Sequence, residues 1–233
     1  MNRAARTLLV LLLAILAGKG AAASKTFDQA QWHTGDMNEQ SPSDSAGNTA
    51  NSHVDYFYYY ERIPMRMAVL DDSLVNGSAS RTYDSAILAL VVAANGLSGN
   101  DSMRVFGRRL TRNWSESGVS WTYYWASPDS AWSTAGGDVN TLRCMDTIIV
   151  DASAAVYTTL FFHLDTGFVR DMVETANYGW LMMATNLVDR GSFQFFTEDI
   201  GTVAYRPVLT VYYTDHAAGG LASRRRHAAG GLP

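Results

Sequence analysis

The sequence predicts an all-β protein: an antiparallel β-sandwich of the jelly-roll type with one short helix. From Val54 onward, short apolar or alternating runs are separated by Gly, Asn, Asp and Ser roughly every eight to twelve residues. These runs are rich in Val, Ile, Thr, Tyr and Phe, which suit a pleated, half-buried surface. Charged residues make up only 17% of the chain, which disfavours a disordered protein and a charged helical bundle. Many short strands with little helix favour sheet packed on sheet.

The strands and the helix follow from local patterns. Strands are predicted at residues 54–60, 65–70, 84–94, 103–111, 146–151, 156–164, 179–185, 192–197 and 207–213. One segment, residues 165–173, has apolar residues at a spacing of four instead of two. Asp165 or Thr166 stands at its start, where a side-chain oxygen can cap a helix. This segment is therefore predicted to be a short helix that closes one end of the sandwich.

The two ends of the chain are predicted to lie outside the sandwich. Residues 1–23 have the pattern of a secretory signal peptide: Arg3 and Arg6, an apolar run too short to span a bilayer, and small residues at 21–23. Residues 24–52 are expected to be a polar lead-in, 53–215 a single sandwich domain, and 216–233 a disordered Gly/Ala/Arg tail. We expect a secreted protein, extracellular or at the cell surface, without membrane insertion after cleavage.

The charge of the chain disfavours one class of binding partner, and its cysteine content excludes one source of stability. Three of the 18 Lys and Arg lie in the predicted signal peptide and three in the tail, which leaves 12 against all 22 Asp and Glu, a net charge of −10. Such an acidic body is a poor nucleic-acid binder, because phosphate binding needs clustered cations. The single cysteine, Cys144, cannot form an intrachain disulfide, so the packing of the core must hold the fold.

The densest aromatic stretch carries a family resemblance. A Trp-x-Glu-x-x-Val-x-Trp element is followed by a further tryptophan and a Gly-Gly-Asp turn, at Trp114, Glu116, Val119, Trp121, Trp132, Gly136, Gly137 and Asp138. Further elements of the family pattern occur in the expected order, at residues 85–90 before this stretch and at 161–169, 177–181, 195–198 and 206–213 after it. Together they resemble the DNRLRE family, the disaggregatase-related repeat. The resemblance implies a secreted sandwich of the carbohydrate-binding-module type, including modules associated with alginate and other acidic polysaccharides.

Candidate glycan contacts come from two aromatic segments. Sugars are held by flat aromatic faces and a few hydrogen-bonding groups. Tyr123, Tyr124 and Trp125 lie at a strand end or loop where not all of them can face inward. On the strand at residues 56–60, alternation places Tyr58 on one face, and Arg62 and Arg66 nearby can pair with a carboxylate. The alternative for this strand is that both of its faces are covered.

Other residues have structural interpretations. Trp114, Trp121 and Trp132 are predicted to be core residues, because their recurrence in the pattern of the family that the chain resembles implies packing. Calcium is the one metal that the sequence suggests, with candidate ligands in loop carboxylates at Asp71, Asp72 and Asp138. No other cofactor is expected.

The sequence favours a non-catalytic protein. Asp165 stands in an Asp-Thr-Gly string, but aspartic proteases need two such carboxylates, and this string has one copy. The leading hypothesis is a secreted protein that binds an extracellular polysaccharide, either neutral or acidic. The first alternative is a cell-surface or matrix protein that makes protein contacts, including self-association. An enzyme that degrades polysaccharide is the third.

Overall fold

The fold is an antiparallel β-sandwich. The computed structural model describes residues 21–27, 32–43, 50–56, 60–67, 81–125, 130–174, 176–186 and 191–216. Within these ranges the chain is mostly strand with a single α-helix, which confirms the predicted fold class. Residues 1–20, Tyr58, Asp71, Asp72 and residues 217–233 lie outside the described ranges, and so do the predictions made for them. Among the described residues, no helix is long and apolar enough to cross a bilayer.

The described residues form thirteen strands, one α-helix and one 3₁₀ turn. The strands are β1 (Ala21–Phe27), β2 (Trp32–Thr34), β3 (Met37–Asn38), β4 (Asn51–Tyr56), β5 (Tyr60–Met67), β6 (Arg81–Asn95), β7 (Ser102–Leu110), β8 (Val139–Cys144), β9 (Ile148–Asp151), β10 (Thr159–Leu164), β11 (Trp180–Asn186), β12 (Ser192–Phe196) and β13 (Val208–Asp215). The helix α1 spans Thr166–Glu174, and the 3₁₀ turn spans Val203–Tyr205.

Two sheets make up the sandwich. In the first, β6 is central and pairs with β13, β10 and β12, while β1 pairs with β13 and β4 pairs with β12. In the second, β11 lies between β5 and β7; β2 and β3 pair with β5, and β8 and β9 pair with β7. All of these pairs are antiparallel. The pairing of β4 with β5 joins the two sheets.

The main core lies between the sheets. Alternation along β6 buries Ala86, Leu88 and Leu90 on one face, while the residues between them are partly exposed. Alternate residues of β11, Trp180 and Met182, are buried in the same cluster. The intervening residues of β11 therefore point to the outer face of the second sheet, where the candidate site lies.

The helix closes the main core as predicted. Asp165 caps it: its Oδ1 accepts a hydrogen bond of 2.6 Å from the backbone N–H of Phe168. Phe168, Val169 and Met172 are buried in the main core. The predicted spacing of four thus corresponds to the buried face of the helix.

The observed strands differ from the predicted ones where a strand depends on its pairing partner and not on a local apolar pattern. The expected polar lead-in contains β2 and β3, whose hydrogen bonds come from β5 and not from any local apolar pattern. β1 begins at Ala21, so it includes three residues that the predicted signal cleavage would remove. The run predicted at 54–60 belongs to two strands, because β4 ends at Tyr56 and β5 begins at Tyr60. β8, which was not predicted, is formed along β7 by residues that are partly buried or exposed, with none fully buried.

A second, smaller core covers part of the outer face of the second sheet. It forms where residues 111–125 and 130–138, which follow β7, pack onto this face. We call these residues the tryptophan loop. The buried residues of this second core, from the loop and from the sheet beneath it, are Met37, Leu110, Trp114, Val119, Trp121, Trp132 and Leu181. The three tryptophans predicted to be structural are thus buried together. Two of their indole N–H groups donate to backbone carbonyls, Trp114 to Tyr178 at 3.0 Å and Trp132 to Ser120 at 2.9 Å.

Candidate functional site

Beside the tryptophan loop, the outer face of the second sheet contains an open groove of about 260 Å³. We call it the arginine groove. β5, β7 and β11 line it with Tyr60, Glu61, Arg62, Phe106, Arg108, Met183, Ala184 and Thr185. Arg62 and Arg108 come from the two strands that flank β11. The groove therefore combines two guanidinium groups with two aromatic rings and a methionine.

The two arginines lie against aromatic faces. The guanidinium of Arg62 lies 4.7 Å from the ring centroid of Trp121 and 5.8 Å from that of Tyr60. The guanidinium of Arg108 lies 5.5 Å from the ring centroid of Phe106. Cation–π contacts of this kind hold a guanidinium in place while leaving some of its N–H donors free for another partner.

The electrostatic environment of the groove is cationic and partly desolvated. Among the described residues, neither Arg62 nor Arg108 forms an ion pair with a carboxylate. Burial lowers the pKa of the Arg62 guanidinium; Tyr60 and Glu39 oppose the shift, and the nearby charge of Arg108 adds to it. Nε of Arg108 is buried and has no hydrogen-bond partner among these residues. Two neighbouring cations with free donors favour the binding of an anion.

The tryptophan loop positions one side of the groove. Arg62 donates a hydrogen bond of 2.6 Å from a terminal N–H to the carbonyl of Gly136. Gly136 has φ of +84°, and a Cβ there would come within 2.8 Å of the Trp121 ring. Glycine is therefore required for the close approach of this turn to Arg62 and Trp121. Glu61, the one carboxylate of the groove lining, accepts a hydrogen bond from the side-chain amide of Asn38.

The predicted aromatic contacts of the loop do not line the groove. Tyr123 is half-buried and bridges to Ala131. Tyr124 packs edge-on against Trp132, with ring centroids 5.6 Å apart, and the Arg112 guanidinium lies 4.7 Å from its ring centroid. Trp125 is 45% exposed. Of these three residues, Trp125 has the surface most accessible to a ligand.

Arg66 is separated from Arg62 by the tryptophan loop. Its guanidinium lies 5.3 Å from the ring centroid of Trp114 and donates a hydrogen bond to the side-chain carbonyl of Asn113. Burial lowers the pKa of this guanidinium, and the neighbouring Glu116 opposes the shift. The structure thus places Arg62 in the groove and Arg66 outside it.

Asp138, the described member of the predicted calcium ligands, organises the Gly-Gly-Asp turn. Its two carboxylate oxygens accept hydrogen bonds from the backbone N–H groups of Ser133, at 3.0 Å, and Thr134, at 2.8 Å. Arg112 forms an ion pair with it at 3.2 Å. These contacts fix the orientation of the carboxylate in the turn, and a calcium ion at Asp138 stays a prediction.

A different acidic cluster arises where two of the sequence motifs meet. Glu116 of the tryptophan loop and Glu198 and Asp199 after β12 have carboxylate oxygens within 4.8 Å of one another. His33 Nδ1 lies 2.5 Å from a carboxylate oxygen of Glu116. Thr34 donates to Glu198 through its backbone N–H and its hydroxyl, both at 2.7 Å. Oxygen ligands of this kind suit a hard cation such as Ca²⁺.

Burial raises the proton affinity of two of these acids, Glu198 and Asp199. Burial raises the pKa of the Glu198 carboxyl, the hydrogen bonds from Thr34 oppose the shift, and the charge of Glu116 adds to it. Burial and the charge of Glu116 also raise the pKa of Asp199, which Arg206 partly offsets. Glu198 and Asp199 therefore hold protons more tightly than carboxylates in water would.

The sequence singled out Glu116 and Glu198 as motif residues and Arg62 as a candidate glycan contact. It did not identify the residues that lie beside them in the fold. Arg108 lies 46 positions after Arg62, and Glu198 lies 82 positions after Glu116. One available signal was the alternation of Arg104, Phe106 and Arg108 with the apolar Met103 and Val105, which predicts that the first three share the outward face of the strand. The chain matches no protein-family model, and comparison with curated proteins gives no match, so the DNRLRE resemblance stays a prediction.

Proposed function

We propose that this protein is a non-catalytic, extracellular polysaccharide-binding protein whose arginine groove holds the carboxylates of an acidic polysaccharide. The observation that carries the proposal is the pair Arg62 and Arg108, which share one groove without a carboxylate ion pair among the described residues. A guanidinium binds a carboxylate through two parallel hydrogen bonds. Secretion and the DNRLRE resemblance belong to the same proposal.

The composition of the groove favours a sugar acid over other anions. Phe106 and Tyr60 add aromatic surface beside the two cations. A uronic acid has both of the groups that this lining suits, a carboxylate and an apolar ring face. Nucleic acid is disfavoured because binding along a phosphate backbone needs many clustered cations, whereas the groove offers two guanidinium groups.

Electrostatics also explains how an acidic protein could bind an acidic polymer. β5 and β7 hold five of the 12 basic residues of the body: Arg62, Arg66, Arg104, Arg108 and Arg109. Arg109 is buried on the inner side of β7 and donates to the carbonyls of Asp171 and Ala176. The other four lie on the outer face of the two strands that flank β11, so the local charge of this face differs from the net charge. Binding would depend on salt, because exposed charges are screened beyond a distance of about 8 Å at physiological ionic strength.

The test compares two charge-neutralising variants. Arg108→Gln removes one guanidinium of the groove, and Arg170→Gln removes an exposed guanidinium of the helix, which does not line the groove. Binding of a soluble oligogalacturonate and an oligoalginate is measured by calorimetric titration at low ionic strength. We expect Arg108→Gln to weaken binding roughly tenfold or more, the usual consequence of losing a charge-assisted hydrogen-bond pair. Arg170→Gln should bind like the parent protein.

Two results would contradict the proposal. Equal affinity of the parent and Arg108→Gln would place the uronate elsewhere on the molecule. A parent protein that binds neither oligouronate, and that forms concentration-dependent oligomers in sedimentation experiments, would favour the alternative of an adhesive protein that associates with other chains.

A further inference from the structure

Three aromatic side chains form a compact cluster at the far end of the first sheet. Tyr157 lies in the turn before β10, Phe196 ends β12, and Tyr205 ends the 3₁₀ turn. Their ring centroids are 4.9 to 5.8 Å apart. The rings of Tyr157 and Phe196 are inclined by 18°, and those of Phe196 and Tyr205 by 17°. The rings of Tyr157 and Tyr205 are tilted by 35°, so the three rings form a compact triangular cluster and not a parallel stack.

This aromatic cluster is exposed. The side chain of Tyr157 is 58% exposed, and its neighbours Val156 and Val203 are 42% and 45% exposed. Phe196 and Tyr205 are half-buried beneath it. A large aromatic ring supported by other rings and left open to solvent is typical of a contact surface rather than of a core.

The backbone holds Tyr157 in an unfavourable conformation. Its φ is +70°, in the left-handed region, where a bulky residue is a genuine outlier. Such strain persists only when surrounding contacts impose it, and strained residues cluster at functional sites. Burial does not explain this conformation, since Tyr157 is the most exposed ring of the three.

Hydrogen bonds from β6 impose the strained conformation. The N–H of Tyr157 donates to the carbonyl of Val92 at 2.8 Å, and the N–H of Val92 donates to the carbonyl of Thr158 at 2.9 Å. The side-chain amide of Asn95 donates to the carbonyls of Asp151 and Ala154, both at 2.9 Å. The turn is therefore fixed before any ligand arrives, which reduces the entropy lost on binding.

The aromatic cluster is separate from the arginine groove. The groove is lined by β5, β7 and β11 of the second sheet, whereas the cluster is attached to β6 and β12 and the turn before β13. The two surfaces share no residue. None of the three rings of the cluster carries a formal charge at neutral pH, in contrast to the two guanidinium groups of the groove.

We propose that the aromatic cluster is a second glycan-binding surface, which stacks the apolar face of a neutral pyranose on Tyr157. A pyranose offers C–H groups on one face, and a flat, exposed ring is the protein surface that complements them. The hydroxyls of Tyr157 and Tyr205 can exchange hydrogen bonds with sugar hydroxyls at the edge of the stack. The cluster thus binds uncharged sugar units, independently of the carboxylates that we assign to the groove.

The size of the surface argues against a protein partner. An aromatic side chain contributes about 150–250 Å² when fully buried, and only Tyr157 of the three rings is more than half exposed. The available area is therefore well below the ~800 Å² per partner that a stable protein interface needs. It suffices for one or two sugar rings.

Two binding surfaces on one chain have a functional consequence. A polysaccharide with neutral and acidic stretches can occupy both surfaces, and the second contact forms at a high effective concentration once the first exists. Alternatively, one molecule can bridge two polymer chains. Either way, the protein retains a mixed polysaccharide more strongly than each surface does alone.

The test uses affinity electrophoresis through gels that contain soluble xyloglucan, galactomannan, mixed-linkage β-glucan or dextran. We expect the parent to be retarded by at least one of these neutral polymers, and Tyr157→Ala to lose roughly tenfold or more of that affinity. Val156→Ala removes an exposed apolar side chain from the same turn and is the matched control. Tyr157→Phe keeps the ring and should retain most of the binding. Tyr205→Ala removes a supporting ring and provides a second variant if Tyr157→Ala does not fold.

Each outcome decides the proposal. A parent that none of the four neutral polymers retards would overturn it, and so would equal retardation of the parent and a folded Tyr157→Ala or Tyr205→Ala variant. Loss of a sedimentation-detected dimer in Tyr157→Ala, without any glycan effect, would assign the cluster to self-association. Arg108→Gln should keep the neutral-polymer affinity, so failure of the groove proposal and failure of this one remain distinguishable.

Discussion

Trp121 links the smaller core to the arginine groove. Its ring is 7% exposed, stacks against Tyr60 at 6.2 Å between centroids, and lies beneath the guanidinium of Arg62. Its backbone carbonyl also accepts a hydrogen bond of 2.7 Å from the N–H of Gly136, the residue whose carbonyl binds Arg62. One residue thus supports the fold of the loop and the orientation of a groove side chain.

Trp121→Ala is expected to destabilise the protein by about 3–5 kcal/mol, the usual cost of truncating a buried aromatic side chain. Trp125→Ala, in the same loop, is the control: its side chain is 45% exposed, so its loss should change the free energy of unfolding by about 0.5 kcal/mol or less. Urea denaturation monitored by circular dichroism measures both values. Equal stability of the two variants would show that Trp121 contributes no buried packing.

The acidic cluster connects three segments that are distant in sequence. β2 contributes His33 and Thr34, the tryptophan loop contributes Glu116, and the segment after β12 contributes Glu198 and Asp199. Carboxylates this close repel one another when all are ionised. The contact between these segments should therefore strengthen when one of the acids takes up a proton.

Glu198→Gln is expected to raise the melting temperature at neutral pH, with a gain that shrinks as the pH falls. The pKa of Glu198 is raised in the folded state from its ordinary value of 4.5, so its protonation stabilises the fold at low pH, and this contribution is lost as pH rises through the folded pKa. Glutamine is neutral at every pH and can keep hydrogen bonds with Thr34. Glu174→Gln, at the exposed end of the helix, is the matched control. A melting temperature of Glu198→Gln that follows the parent at all pH values would contradict the assignment.

Much of the fold of the molecule could be predicted from its sequence, but less of the candidate site could. Alternating burial along β6 and the cap at Asp165 are local patterns, so the sandwich and its helix could be read from the sequence. β2 and β3 have no such pattern, because their hydrogen bonds depend on β5. Arg62 could be proposed from its strand, but its neighbour Arg108 depends on the register of two strands with β11. Long-range pairing of this kind leaves no signal in a single sequence.

The most direct test of the central claim is a pair of calorimetric titrations of the parent protein, one with an oligouronate and one with the same oligosaccharide after its carboxyl groups are reduced to hydroxymethyl groups. If Arg62 and Arg108 hold carboxylates, the reduced ligand should bind roughly tenfold or more weakly, and the affinity for the oligouronate should fall as salt is added. Equal affinities for the two ligands, or an oligouronate affinity that does not respond to salt, would contradict the account.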